Sequence, residues 1–403
     1  MRKLTQALIA ASLLSMSALA LAEDAPAKPK IPIPALDDVL EAWGLTLNGY
    51  LDVSYSHLSG NGAFVSGTPD RVFDAQHDSF SVHQAAFTLA KQPKEGFGAL
   101  VNVTFGEDAD VIAPYNQNPG SSSKVDLTQA FVQYARGPVT AIGGKFVTLA
   151  GAEVINPTAD TNFSRSILFG YAIPFTHTGV RGTYAVNDAL NLILGLNNGW
   201  DLLQDTNGNK TIEAGVSYFP LKNLTVTAQG YFGNEKLCGS SCGGAGQPSA
   251  AASPGGYRGL FDTLVTYNAT DKLTLILNTD YAWQDNAGAI NVATGTPFSA
   301  DGNGVATWEG VAGYAVYQFT DQWRGTLRLE YFDDKDGYRT GVKQQWKEMT
   351  YTLAYLPNKN IELRGEYRYD RSNGNSPFGA FQNSDGGPTN SQYSFALEAL
   401  FKF

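Results

Sequence analysis

Charged residues occupy alternate positions in two segments near the C-terminal end of the sequence. Between Lys359 and Arg371 the alternate side chains are acidic and basic in turn, and Gln322–Asp334 carries a similar pattern. Alternate residues of a strand share one face, so each segment predicts a strand with one charged face. These faces comprise Glu362, Arg364, Glu366, Arg368 and Asp370 in the first segment and Arg324, Thr326, Arg328 and Glu330 in the second.

Two uses of such charged faces are open. Facing hydrocarbon at mid-depth, each Arg or Lys would cost about 2–4 kcal/mol, so the charges must face water or one another. They predict either salt-bridged struts that brace a wall or a charged constriction that selects solutes by sign and size. Either use implies a hydrated interior. The same inward parity is predicted elsewhere for Lys145, Arg181, Glu213 and Asp280.

Catalytic and metal-binding patterns are missing from the sequence. The histidines are scattered at His57, His77, His83 and His177, and no G-x-S-x-G motif accompanies them. His83 could serve a barrel hydrolase, but a single histidine on a strand is more often structural. We therefore predict that the protein is not an enzyme and has no metal site or cofactor. The net charge of −10 argues against nucleic-acid binding.

The N-terminal residues predict export. Arg2 and Lys3 precede an apolar run that ends at Ala20-Leu21-Ala22, which is the pattern of a cleaved signal peptide over residues 1–22. Residues 23–43 predict a Pro-rich linker and a short helix. The two cysteines, Cys238 and Cys242, lie in a Gly/Ser-rich stretch, and an oxidising envelope favours a disulfide between them over a metal site.

From residue 44 to residue 403 the sequence alternates between apolar and polar positions in about 16 segments. Short connections alternate with long ones along this whole region, as in a barrel with tight turns at one end and large loops at the other. The 43% hydrophobic content suits strands with one face toward lipid, and Phe146, Leu192 and Leu275 are among the residues predicted for that face. We predict an all-β fold: a transmembrane antiparallel up-and-down β-barrel of about 16 strands, with short periplasmic turns and long extracellular loops.

Two strands have uncertain faces. Ser79–Lys91 changes face near Gln84, which predicts a β-bulge. Val305–Phe319 places Glu309 on the face that otherwise looks lipid-directed, so both orientations of this strand are open.

The last predicted strand is aromatic on one face and ends at Phe403. In a barrel it must pair with the first strand, because an open edge would leave backbone groups unpaired in lipid. An aromatic strand ending in Phe is also similar to the signal that the bacterial barrel-assembly machinery recognises. We therefore expect outer-membrane lipids and this machinery as partners.

The connection Ala150–His177 is too long for a simple turn, and loops of this length are often functional. We hypothesise that it folds into the barrel and narrows the pore, with Glu153 and Arg165 at the constriction. The alternative is an outer loop that lies over the rim.

A family resemblance extends over nearly all of the region that follows the helix. The runs GGKFVTLAGAEVINP (Gly143–Pro157), NFSRS (Asn162–Ser166), HTGVRGTY (His177–Tyr184), NNGWD (Asn197–Asp201) and EYFDDKDG (Glu330–Gly337) together resemble the OmpL-like β-barrel porins of Gram-negative bacteria. The resemblance implies an outer-membrane porin fold and pore activity. It implies no particular solute-binding residues.

The predicted function is passive diffusion of small hydrophilic solutes or ions through a water-filled, charge-lined barrel in the outer membrane. One alternative is a substrate-specific channel in which the Ala150–His177 segment, Tyr50 and Trp346 bind the solute. Another is a non-conducting barrel whose long loops act as an adhesin or receptor. The oligomeric state is left open by the sequence, and a homo-oligomer is one alternative because wide porins often form trimers.

Overall fold

Sixteen antiparallel strands close into a barrel in the computed structural model, which describes residues 35–114, 123–235, 256–287, 304–374 and 379–403. This confirms the predicted fold class. The signal peptide and the Cys238–Cys242 pair lie outside the described residues and stay predictions. In chain order the strands are β1 (Thr46–Leu58), β2 (Gly60–Phe64), β3 (Ser79–Lys91), β4 (Gly96–Phe105), β5 (Val125–Arg136), β6 (Val139–Val147), β7 (Thr176–Asn187), β8 (Leu190–Asn197), β9 (Thr211–Leu221), β10 (Leu224–Asn234), β11 (Tyr257–Asn268), β12 (Leu273–Gln284), β13 (Ala306–Thr320), β14 (Trp323–Asp334), β15 (Gln344–Asn358), β16 (Ile361–Ser372), β17 (Phe381–Asn383), β18 (Pro388–Thr389) and β19 (Ser391–Lys402).

The barrel closes between its first and last strands. β19 pairs with β16 on one side and with β1 on the other, where Leu51 lies opposite Phe401 and Val53 lies opposite Ala399. Every barrel strand therefore has two neighbours, and no edge is left for lipid or another chain. The remaining strands β2, β17 and β18 form a separate small sheet.

The connections differ strongly between the two ends of the barrel. At one end, here called the turn end, the longest connections are residues 92–95 and 269–272. At the other, the loop end, connections run up to the 28 residues between β6 and β7. The first long connection, residues 59–78, is called loop 1 below, and residues 148–175 are called the insert. Residues 106–124 contain a short helix, α2 (Asp108–Ile112).

The outer face of the barrel carries exposed leucines and aromatics, including Tyr184, Leu192, Leu194, Leu275, Leu277, Leu329, Leu353 and Leu363. Alternation predicted Phe146 to face lipid too, but that was wrong. Phe146 is 1% exposed and packs under the guanidinium of Arg181, whose carbon lies 4.2 Å from the ring centre.

Both strands with uncertain faces are now assigned. On β3 the pairing with β1 passes from Gln84 to Val82, so His83 is the extra residue of a bulge. On β13 Glu309 does point outward, near the loop end, and its carboxylate is 2.9 Å from the ammonium of Lys335. The bulge prediction is confirmed, and the faces of β13 are not inverted.

Residues 45–403 form one compact unit, and the described residues before it, 35–44, belong to another. Its described part is the helix α1 (Leu36–Trp43), which ends at Gly44 with a left-handed φ of 62°, and none of the helical residues is buried. A left-handed residue after a helix is most often glycine, because glycine has no Cβ to clash. Among the described residues, no helix is long and apolar enough to cross a membrane.

A hydrophobic core lies inside the barrel. It combines loop 1, the insert, α2 and inward side chains of the wall, and its largest members include Phe64, Phe73, Phe169, Tyr171, Trp308, Phe332 and Trp346. The rings make close contacts: Phe73 lies 5.6 Å from Phe169, and Phe64 lies 5.2 Å from Trp346. Apolar burial therefore favours an inward position for both loop segments.

Candidate functional site

The insert crosses the interior of the barrel without regular secondary structure over most of its length. A short 3₁₀ turn, Pro157–Ala159, begins where the side chain of Asn156 accepts a hydrogen bond from the Thr158 N–H at 3.0 Å. A single wide turn, Leu168–Ala172, follows and is fully buried. Backbone groups that have left water and lack a helix or sheet partner need other hydrogen-bond partners. The charged wall supplies many of them.

Wall arginines donate hydrogen bonds to carbonyl groups of the insert. Arg364 on β16 contacts the carbonyl oxygens of Asp160, Asn162 and Pro157, at 2.6, 3.0 and 3.1 Å. Four residues further along the same strand, Arg368 contacts the carbonyl oxygen of Arg165 at 2.7 Å. The guanidinium presents several donors in a fixed plane, so one side chain can satisfy several carbonyls of an irregular segment.

Wall glutamates accept hydrogen bonds from N–H groups of the same segment. Glu366 accepts from the N–H groups of Phe163 and Ser164, at 2.7 and 3.0 Å. Glu330 on β14 accepts from those of residues 167 and 168, at 3.1 and 3.2 Å. The alternation of sign along the wall thus matches the alternation of donors and acceptors along the backbone of the insert.

Arg328 on β14 is the most highly connected of these wall residues. Its guanidinium lies 2.7 Å from Glu153 and 2.6 Å from the carbonyl oxygen of Ser164, both in the insert. The same group is 3.1 Å from Glu330 and 3.2 Å from Glu348 on the wall. Arg328 is fully buried, so it is the shared counter-charge of three buried carboxylates.

Arg165 contacts mainly its own segment. Its side chain donates to the carbonyl oxygens of Val154 and Ile155, at 3.1 and 2.9 Å, and lies 3.2 Å from the carboxylate of Asp160. Its guanidinium carbon is 5.3 Å from the ring centre of Phe73 in loop 1. Arg165 therefore braces the fold of the insert and its packing against loop 1.

The other predicted site residues form ion pairs on the wall. The pairs are Lys145 with Asp126 at 3.0 Å, Arg181 with Glu213 at 2.9 Å, Arg364 with Glu362 at 2.7 Å, and Arg324 with Glu362. All of the predicted residues are at most 7% exposed, apart from Arg324, whose side chain is 16% exposed. They are placed as struts and as anchors of the insert, and their lining of a conducting path stays a prediction.

Several partners in this network were missed by sequence reasoning. Asp160 and Glu348 were not singled out, nor was Glu398, which lies 3.0 Å from Arg364. For the two glutamates a signal existed, because each falls on the inward parity of a predicted strand. Asp160 had no periodic signal, since it lies in an irregular segment.

A cavity remains between the insert and the wall opposite these anchors. It has an empty volume of about 570 Å³, including the part open to solvent. The wall side is built by inward residues of β1 and β3–β6, namely Tyr50, Thr88, Asn102, Thr128, Gln129 and Val147. Trp346 does not reach it, because it is fully buried in the core and donates to Asp370 at 3.0 Å.

His83 is held between two polar partners. Its Nε2 lies 2.7 Å from the hydroxyl of Ser54, and its Nδ1 lies 3.5 Å from Asp108 in α2. All three residues are at most 5% exposed, and the ring of Phe163 packs on the imidazole with its centre 5.4 Å away. The set joins α2 and the insert to the wall at the bulge, and its contacts there are structural. In the described ranges, no group of three or more His, Cys, Asp or Glu side chains could hold a metal ion.

A closed sixteen-stranded barrel with an irregular segment anchored across its interior defines the chain as a porin-like outer-membrane β-barrel. The chain belongs to the family described as Putative beta-barrel porin-2, OmpL-like, whose model matches residues 44–403. This confirms the family resemblance and the outer-membrane location. No curated protein sequence matches the chain.

Solved structures share this fold at low sequence identity. The outer-membrane channel DcaP of Acinetobacter baumannii is 15% identical, with a TM-score of 0.56 over 89% of this chain and 97% of that one. An anion-selective porin from Comamonas acidovorans is 11% identical, with a TM-score of 0.58 over 89% and 99%. OmpT of Vibrio cholerae in its trimer form is 12% identical, with a TM-score of 0.56 over 89% and 99%.

Proposed function

We propose that the protein is a passive channel for small hydrophilic solutes, with the insert as a fixed internal constriction. The observation that carries this proposal is the cavity left inside a closed barrel beside the anchored insert. On this view the solute passes between the insert and the wall of β1 and β3–β6. The turn end faces the periplasm, and the loop end faces the outside of the cell.

The division of the interior into two halves supports this route. On one side, β14–β16 hold the insert through Arg328, Glu366 and Arg364, and these groups are used up in contacts with it. On the other side, the polar side chains of the wall line the cavity. A solute that crosses the barrel therefore meets the second wall and the back of the insert.

A second candidate is a non-conducting barrel that acts through its loops as an adhesin or receptor. The apolar core formed by loop 1, the insert and Trp308 favours it, because this core fills part of the interior toward the loop end. The two candidates differ in whether water and ions can pass beside that core.

Conductance decides between these candidates. The mature chain would be refolded and inserted into a planar lipid bilayer with a salt gradient across it. We expect stepwise openings of constant size, and the reversal potential would report the charge preference. A folded barrel that inserts and carries no current would overturn the channel proposal and direct attention to the loops.

Assembly is a separate part of the proposal. We infer recognition by the barrel-assembly machinery through β19, whose outward aromatics Tyr393, Phe395 and Phe401 are exposed. Truncation of residues 401–403 should slow insertion into bilayers that contain this machinery. A homo-oligomer is also proposed, and light scattering of the protein in detergent would test it: a monomeric mass would refute it.

A further inference from the structure

The cavity beside the insert has a row of neutral hydrogen-bonding side chains along its wall. Thr88, Asn102 and Gln129 lie directly opposite one another across β3, β4 and β5, so they form a continuous polar row at one depth. All three line the cavity. Asn102 donates to Thr88 Oγ1 at 3.0 Å, which fixes the orientation of its amide.

Two groups of this row are left for a ligand. Asn102 uses its NH₂ group on Thr88 and on the carbonyl oxygen of Phe87, and Gln129 uses its oxygen on the N–H of Val147. To the residues that the structure describes, the Asn102 Oδ1 acceptor and the Gln129 Nε2 donor form no hydrogen bond. An acceptor and a donor on neighbouring strands are suited to a hydroxyl group, which both donates and accepts.

The facing side of the cavity is formed by the insert and is partly apolar. Its apolar residues include Ile155, Phe169 and Phe175, and Thr148 and Asn156 add polar groups. The two phenyl rings are stacked with their centres 5.2 Å apart, and this stacking gives a rigid aromatic surface. A ligand that fits between the two sides needs a hydroxylated edge and an apolar C–H face.

Charge is almost missing from this cavity. Among the described residues that line it, Glu153 is the only Asp, Glu, Lys, Arg or His. Its carboxylate is already bound by Arg328 at 2.7 Å. Glu153 also accepts from the N–H of Ser166 at 2.6 Å. A charged solute would lose hydration here without meeting a free counter-charge, and this loss is unfavourable.

We propose that this cavity is a binding site for small neutral polyhydroxy solutes of the sugar or polyol class. Thr88, Asn102 and Gln129 contact the hydroxyl groups, and Phe169 and Phe175 contact the C–H face. The inference rests on the proposed channel function and names the solutes that this channel favours.

Proteoliposome swelling tests the preference with three probes of closely similar mass: arabinose, glutamate and lysine. We expect arabinose to enter faster than either charged probe. Asn102→Leu should slow arabinose roughly fivefold, as expected for the loss of a hydrogen bond of about 1 kcal/mol. Gln229→Leu is the matched control, because Gln229 is also an inward, buried amide but does not line the cavity.

A second variant keeps the test independent of lost packing. Gln129→Glu places an unpaired negative charge in the cavity. The entry rate of lysine should therefore rise relative to that of arabinose, and the entry rate of glutamate should fall. Equal entry of all three probes through the unmodified protein would overturn the inference, and so would Asn102→Leu slowing them all alike. If salt current is present, such a result refutes this inference alone; if no current flows at all, the proposed function fails and this inference fails with it.

Discussion

Removal of Arg328 should release the insert from the wall. This side chain is the counter-charge of Glu153 in the insert and of Glu330 and Glu348 on the wall, at 2.7, 3.1 and 3.2 Å. It also donates to the Ser164 carbonyl at 2.6 Å. Arg328→Met keeps most of the volume and removes the charge. Glu153 and Glu330 then lose their ion-pair partner while buried, and Glu348 keeps only Arg368, at 3.9 Å.

The size of the effect follows from that burial. Breaking one buried ion pair by removing a single partner typically costs about 3–5 kcal/mol. If this loss falls on docking of the insert, the ratio of undocked to docked molecules rises roughly 10²- to 4 × 10³-fold. The sixteen-stranded wall is stabilised by its own backbone ladder, so we expect the barrel itself to fold.

Single-channel recording in a planar bilayer checks this expectation. Arg328→Met should show larger conductance steps and more current noise than the unmodified protein. Arg136→Met is the matched control, because Arg136 is exposed at the turn end of β5. Glu153→Gln should have a smaller effect than Arg328→Met, because Arg328 keeps Glu330 and Glu348. A folded Arg328→Met barrel with unchanged conductance and noise would refute the idea that this arginine anchors the insert.

Three further predictions concern stability. Burial raises the pKa of Asp70 in loop 1 to about 6 from 3.8, so docking of loop 1 should be strongest below about pH 4 and weaken up to about pH 6; proteolysis of loop 1 measured across this range should lose much of that dependence in Asp70→Asn. Asp280 and Asp262 lie directly opposite each other, and both are buried without an ion pair to any described residue. Asp280→Asn should therefore increase the free energy of unfolding by about 1 kcal/mol or less and raise the thermal midpoint, and a lower midpoint would contradict this. Gly144 has a φ of 140°, and a Cβ there would lie 2.2 Å from the carbonyl oxygen of Ala130, so Gly144→Ala should refold in much lower yield on heat-modifiability gels, whereas Gly313→Ala, where a Cβ meets nothing within 4 Å, should refold normally.

The barrel was predictable because its signal is local and repeated. Alternation over some twelve residues gave each strand its faces, and the bulge near Gln84 appeared in the sequence as a change of parity. Phe146 shows the limit of this reasoning. It lies beside the glycine pair of β6, and its inward position depends on pairing with His177 and on the guanidinium of Arg181. Such neighbours depend on the fold, and the alternation of residues in the sequence does not reveal them.

The site was only partly predictable for a related reason. The charged faces of β14 and β16 were visible in the sequence, but their partners were not. Arg364 contacts a carbonyl 202 residues earlier in the chain, in a segment without periodicity. The alternation of residues along a strand carries no information about contacts with a distant, irregular segment. The sequence therefore showed which side chains point inward, and the structure was needed to show what they bind.

The charged part of the wall binds the insert, and this leaves the neutral part to face the solute. An irregular segment inside a barrel has backbone donors and acceptors that must be satisfied, and Glu366 and Arg364 supply both kinds of partner. Because these charges are committed to the insert, they cannot also act as free charges toward a passing solute. Selectivity must then come from the part of the wall that lines the cavity, where Asn102 and Gln129 present neutral amides. If this reasoning holds, freeing the insert with Arg328→Met should change selectivity as well as conductance, because it exposes Glu330 and Glu348 to the solute and should favour cations.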